Sequence, residues 1–173
     1  LQVGQCESDN RIDEWRTKSV IEGNGGGQER ESYGLAYQFA AKHTSIDCFE
    51  KRGQKGLLFT VGDEMAWDPL RQTEIAKIFG ASPEKDETLA DVIASASRSW
   101  DIFHILVPSR MYEPGPHLGA WRELLNERAL VLDDYHALGE LILTTIGVMR
   151  GHTVDRMTAG LAPTATDLVL RSG

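Results

Sequence analysis

Leu57-Leu58-Phe59-Thr60-Val61-Gly62-Asp63-Glu64 is an apolar run that stops at an acid. A continuous apolar segment of this length reads as a strand buried on both faces, as in a parallel sheet flanked by helices. In such sheets, ligands bind beyond the carboxyl ends of the strands. Asp63 falls there and is the first candidate for a ligand or metal contact. A glycine-rich, carboxylate-rich stretch, Gly23-Asn24-Gly25-Gly26-Gly27-Gln28-Glu29-Arg30-Glu31-Ser32, precedes this strand by about one helix.

Two further apolar runs have the same character: Asp101-Ile102-Phe103-His104-Ile105-Leu106-Val107, ended by Pro108, and Ala129-Leu130-Val131-Leu132. Leu1 to Cys6 alternates apolar and polar residues and suggests a short strand. Helical spacing fills the intervals. Ile12, Trp15 and Ser19 share a face over about 10–22, and the glycine run ends that helix. Leu35, Ala36, Phe39, Ala40 and His43 form one face over about 31–43. Asp47 to Gly56 reads as a polar connection and Met65 to Pro69 as a loop. Leu70, Ile75, Ile78 and Phe79 mark a helix that stops at Gly80, and Leu89, Val92, Ile93 and Ala96 mark another, with Asp86 as its cap. Pro108, Pro114, Gly115 and Pro116 make 108–118 a loop before a short helix at about 119–127. Asp133 and Asp134 cap a last helix whose buried face holds Leu138, Leu141, Ile142, Thr145, Val148 and Met149. Gly151 ends it, and a weakly patterned tail follows with one more short helix near 164–171. Strands alternating with helices predict an α/β fold: a Rossmann-like, mostly parallel open sheet with helices on both faces. The organisation expected is one domain over residues 1–150 and a tail over 151–173.

The chain has 173 residues and a net charge of −8, with 26 acidic and 18 basic side chains. No basic stripe is present, so a nucleic-acid partner is not expected. The two cysteines, Cys6 and Cys48, form no Cys-x-x-Cys pair and read as buried free thiols of a reducing compartment. No apolar run approaches the ~18 residues of a membrane span, and no signal-peptide pattern opens the sequence. A cytoplasmic location away from the membrane is the expectation.

Few residues carry chemistry. Asp63 either holds a hard cation through oxygen or caps the following turn. The glycine loop offers Gln28, Glu29, Glu31 and Ser32 as oxygen donors at a helix N-terminus, or it is simply solvated. Phosphate suits it poorly: the glycines follow a helix where nucleotide-binding turns follow a strand, and two glutamates repel an anion. No Gly-x-Ser-x-Gly elbow exists. The five histidines lack metal-ligand spacing, and His104 reads as a core residue. Trp67 and Tyr112 sit where loops follow strands and can rim a binding face, whereas Trp15, Trp100 and Trp121 read as packing residues.

Glu31-Ser32-Tyr33-Gly34-Leu35-Ala36, followed by Lys51-Arg52-Gly53-Gln54-Lys55-Gly56 and the Leu57–Glu64 run, resembles the middle of a bacterial von Willebrand factor A domain. The strand at 101–107 and the Leu132-Asp133-Asp134 junction resemble its closing half. The resemblance implies a Rossmann-like sheet and a metal-ion-dependent adhesion site built from three parts: an Asp-x-Ser-x-Ser motif, a threonine before a middle helix, and an aspartate after the next strand. Asp63 matches the third part. No threonine occupies the second, where Ser32, Glu29 or Gln28 would substitute. The first motif is absent from this chain, which looks like the carboxyl-terminal portion of such a domain, without its first two strands. By the family's strand order, the Leu57 strand is then left with an open apolar edge.

The function this resemblance implies is metal-ion-dependent protein–protein interaction without catalysis. Mg²⁺ or Mn²⁺ would be held by Asp63, Ser32 and Glu29, and a protein partner, an AAA ATPase in many bacterial relatives, would contact Gly26, Gly27, Gln28, Glu64 and Trp67. The alternative is a Rossmann-type nucleotide- or phosphate-binding enzyme that uses the glycine loop for phosphate and Asp63 for Mg²⁺. A third reading is a scaffold with a vestigial metal site.

Overall fold

A computed structural model describes residues 11–18, 30–80, 83–108 and 115–172. Its elements in chain order are α1 (Arg11–Lys18), β1 (Arg30–Glu31), α2 (Tyr33–Lys42), α3 (Asp47–Arg52), β2 (Gly56–Gly62), β3 (Met65–Ala66), α4 (Gln72–Phe79), α5 (Leu89–Ala96), β4 (Trp100–Leu106), α6 (Gly115–Leu125), β5 (Ala129–Val131), α7 (Leu138–Met149), α8 (Val154–Thr158) and α9 (Pro163–Arg171). The expected strand at Leu1 to Cys6 and the side chains of Ile12, Trp15 and Ser19 lie outside the described residues.

The sheet is parallel in the order β2-β4-β5, with Leu57 opposite Asp101, Thr60 opposite His104, and His104 opposite Ala129. A second, two-stranded parallel pair joins β1 to β3. Because strand side chains alternate between faces, the central strand β4 divides the core in two. Ile102 and Leu106 pack with Leu35, Tyr37, Val92, Ile93 and Trp121 of α2, α5 and α6. Phe103 and Ile105 pack on the other face with Leu130, Leu141 and Val169, from β5, α7 and α9. Helices therefore cover both faces, and the expected α/β architecture with its parallel sheet is what the chain adopts. Each fully buried Leu or Ile in these layers contributes about 1.5–3 kcal/mol.

Several local expectations are corrected. Among the described residues β2 pairs with β4 alone, so Leu57, Leu58 and Phe59 are half-buried and Val61 is exposed; only β4 is covered on both sides. Residues 47–52 are not a loop but helix α3, closed by Gly53 in the left-handed region at φ 65°. The 65–69 stretch opens with strand β3. Thr88, not Asp86, caps α5 by accepting the Asp91 amide, while Asp86 accepts the Gln72 amide at 2.8 Å and so serves the start of α4. Helix α6 begins at Gly115, with Pro116 in its first turn, where a missing N–H is harmless. The buried stripe of α2 centres on Leu35, Tyr37, Gln38 and Ala40, leaving His43 exposed, because Tyr37 points into the sheet. In α7 the buried positions are Leu141, Thr144 and Gly147, and Val148 and Met149 are exposed. Met157 of α8 packs so closely on Gly147 that a Cβ there would meet its Cγ at 2.7 Å, which pulls the stripe to that side. Cys48 is free but half-exposed, not buried; Cys6 lies outside the described residues.

The last segment is part of the core. Val169 is buried, and the Val131 amide donates to the Ser172 carbonyl at 3.0 Å, which secures the chain end against β5.

Candidate functional site

Strand β2 ends at Gly62, Asp63 and Glu64 make a bend, and the chain re-enters β3 at once. β3 runs beside β1, the end of the glycine loop. The Trp67 amide donates to the Glu31 carbonyl at 3.0 Å, and Arg30 Nη1 donates to the Ala66 carbonyl at 3.1 Å. From the other side, the Tyr33 hydroxyl lies directly against Gly62, so close that no Cβ fits there. Tyr33 follows Ser32, and Gly62 precedes Asp63. These contacts set the neighbours of Ser32 against the neighbours of Asp63, 31 positions later in sequence, at the rim formed by the carboxyl end of β2.

The rim is acidic. Burial, and then the charges of Glu31 and Asp63 with a smaller effect from Glu64, push the Tyr33 phenol above its ordinary range. The Asp63 carboxylate makes no hydrogen bond or ion pair among the described residues, so it does not serve as a turn cap. Ser32 occupies the N-cap position of α2, but its hydroxyl makes no capping bond and is exposed. Both side chains are therefore uncommitted among the described residues. Glu64, by contrast, is buried, and its carbonyl accepts the Trp121 indole N–H at 3.2 Å. Its main chain thus ties the bend to α6, and the side chain is not a surface contact. Trp67 is 47% exposed at the edge of the rim. Gly26, Gly27, Gln28, Glu29 and Tyr112 lie outside the described residues.

Among the described residues no three His, Cys, Asp or Glu side chains are grouped to hold a metal ion. Asp63 and Ser32 supply at most three oxygens where a hard cation takes about six. By themselves these residues do not fit the ion.

Beneath the rim lies a buried polar network that the sequence reading did not identify. The Thr60 hydroxyl sits 2.7 Å from the Tyr37 hydroxyl, 2.9 Å from His104 Nδ1 and 3.4 Å from the Phe103 carbonyl. His104 has no exposed surface, and it stacks on Trp121 with ring centres 3.8 Å apart, with the Tyr33 ring edge-on at 5.0 Å. Burial lowers its pKa to about 3, so it is neutral. Burial also raises the Tyr37 phenol, partly opposed by its bond to Thr60. His104 Nε2 makes no hydrogen bond among the described residues. The proton assignment follows from economy. With the proton on Nδ1, His104 and Tyr37 both donate to Thr60, Thr60 donates to the Phe103 carbonyl, and every buried donor is used. The other tautomer would leave an N–H unpaired, the costlier fault. The signal was present in the sequence: Thr60 and His104 are polar residues inside apolar runs, and the strands pair them directly.

Fold and rim together define an open, Rossmann-like α/β protein with an acidic carboxyl edge. In comparison with known proteins, no family model, no curated protein and no solved structure matches the chain. Among the described residues no helix is long and apolar enough to cross a membrane.

Proposed function

We propose that the chain is a protein-interaction module similar to a von Willebrand factor A domain, acting by binding and not by catalysis, with the rim around Asp63 as its contact surface. The observation that supports this most is that two uncommitted oxygen-bearing side chains, Ser32 and Asp63, adjoin residues that touch each other at the carboxyl end of a parallel strand, through the Tyr33–Gly62 and Glu31–Trp67 contacts. In this reading Mg²⁺ or Mn²⁺ is held by Asp63 and Ser32 with Glu29, and its remaining ligands come from beyond the described residues. A carboxylate of the partner protein, of which an AAA ATPase is the class implied by the resemblance, is the group recognised. The nucleotide-binding alternative is disfavoured by charge, because Glu31, Asp63 and Glu64 all act on Tyr33 from the same rim and would repel a phosphate.

The experiment is a calorimetric titration of Mn²⁺, then Mg²⁺, into the wild-type chain and Asp63→Ala. The expected outcome is binding that the substitution weakens at least tenfold. Equal binding by both proteins, or none by either, rejects the metal role of Asp63.

A further inference from the structure

Next to the rim, a groove of about 560 Å³ runs between Trp67 and helix α4, lined by Trp67, Pro69, Arg71, Thr73, Glu74 and Lys77. Its volume is in the range of ligand sites, roughly 300–1,000 Å³. All six residues are exposed. The indole of Trp67 and the ring of Pro69 supply the apolar surface. The rest is rich in donors: among the described residues the Trp67 indole N–H, the Arg71 guanidinium, the Thr73 hydroxyl and the Lys77 ammonium have no side-chain partner, and Glu74 is the only acidic group of the described lining.

The wall bearing these groups is anchored at successive points. The Trp67 amide is bound to Glu31, and Asp68 Oδ1 accepts the Leu89 amide at 2.9 Å. Leu70 and Glu87 exchange both backbone bonds at 2.8 and 3.0 Å, and the Gln72 amide is held by Asp86. Side chains on a backbone fixed this way lose less entropy on binding than those of a free loop. Trp and Arg are also the residue types that dominate binding energy at protein interfaces. The described lining carries Arg71 and Lys77 against Glu74 and so is net positive in a chain of net charge −8, which favours an anionic ligand. A lining that combines Trp67 and Pro69 with Arg71 and Lys77 suits an extended peptide better than a compact anion, because an apolar side chain can cover a ring while carboxylates meet the cations.

We infer that the Trp67–α4 groove is a docking site for an extended acidic peptide segment of a partner protein, in which carboxylate side chains flank an apolar one. The inference rests on the chain's being an interaction module, but it needs neither a metal nor Asp63.

The test is fluorescence anisotropy with a fluorescein-labelled peptide of alternating glutamate and leucine, run in EDTA so that no cation is held at the rim. A peptide with glutamine in place of glutamate, and a single-stranded RNA of equal charge, serve as comparisons. The acidic peptide should bind at least tenfold more tightly than either. Trp67→Ala and, separately, Arg71→Glu should each weaken binding at least tenfold with the circular dichroism unchanged, and Asp63→Ala should bind as the wild type does. Equal affinity for the glutamine peptide, tighter binding of the RNA, or unchanged affinity in both groove variants overturns the inference. Loss in Asp63→Ala with full binding in Trp67→Ala also overturns it while leaving the rim reading intact. Failure of the Mn²⁺ titration with normal groove binding rejects only the metal role.

Discussion

His104 makes folding stability depend on pH in a way that one substitution isolates. Its imidazole is fully buried between Trp121 and Thr60, and its folded-state pKa is lowered from 6.5 to about 3 by burial. A depressed pKa means that the unfolded chain binds a proton more readily than the folded one. The contribution is therefore fully present above about pH 6.5 and is lost as the pH falls from there towards 3. Between those values the loss amounts to about 1.4 kcal/mol per pH unit, and over the whole window to about 5 kcal/mol. From pH 7 to pH 5, before most carboxylates titrate, about 2 kcal/mol is lost from this group alone. His104→Phe keeps a flat ring against Trp121 and cannot ionise, and the Thr60 hydroxyl retains Tyr37 and the Phe103 carbonyl as partners. Urea unfolding of wild type and variant at pH 7, 6 and 5 gives the comparison, since the remaining titrating groups are common to both. The stability of the wild type relative to the variant should fall by about 2 kcal/mol across that range. Parallel pH profiles for the two proteins would refute the buried, neutral assignment, as would a His104 imidazole resonance, assigned by its loss in His104→Phe, that titrates above pH 5 in the folded state.

The other predictions concern the same region. Thr60→Val removes the shared partner of Tyr37 and His104, leaves two buried donors unpaired, and should cost about 2–5 kcal/mol in chemical denaturation, whereas Thr60→Ser should stay close to wild type. Gly62→Ala pushes a methyl group into Tyr33 and should cost about 1–3 kcal/mol; measured in a Tyr33→Ala background, that cost should fall below about 0.5 kcal/mol if the contact is its cause. Trp121→Ala should cost about 3–5 kcal/mol as a large-to-small change in the core. Trp121→Phe loses chiefly the indole bond to the Glu64 carbonyl and should cost clearly less in the same assay.

The α/β class and its parallel sheet were legible in the sequence because they depend on patterns along the chain. Three apolar runs, with helical periodicity between them, predict buried parallel strands whatever the partners are, and the strands stand where the runs are. Helix ends were equally local. Gly80 and Gly151 stop their helices because a left-handed backbone costs glycine little. Charge and hydropathy likewise gave the expectations about nucleic acid and membrane, because each is a sum over residues.

Pairing and competition between neighbours were decided only in three dimensions. Asp86 and Thr88 are both good N-cap residues, and the packing of α4 against the 86–88 segment assigned one to each helix. Strand β2 reads as fully buried from its composition, yet only its neighbours in the sheet determine how much of it is covered. Thr60 and His104 look like isolated polar faults in apolar strands until the parallel register sets them opposite each other and Tyr37 reaches across from α2. The Tyr33–Gly62 and Glu31–Trp67 contacts beside Ser32 and Asp63 have the same origin. Sequence periodicity reports the environment of one residue at a time, whereas a site is a set of distances between residues far apart in the chain, and those exist only once the layers have packed.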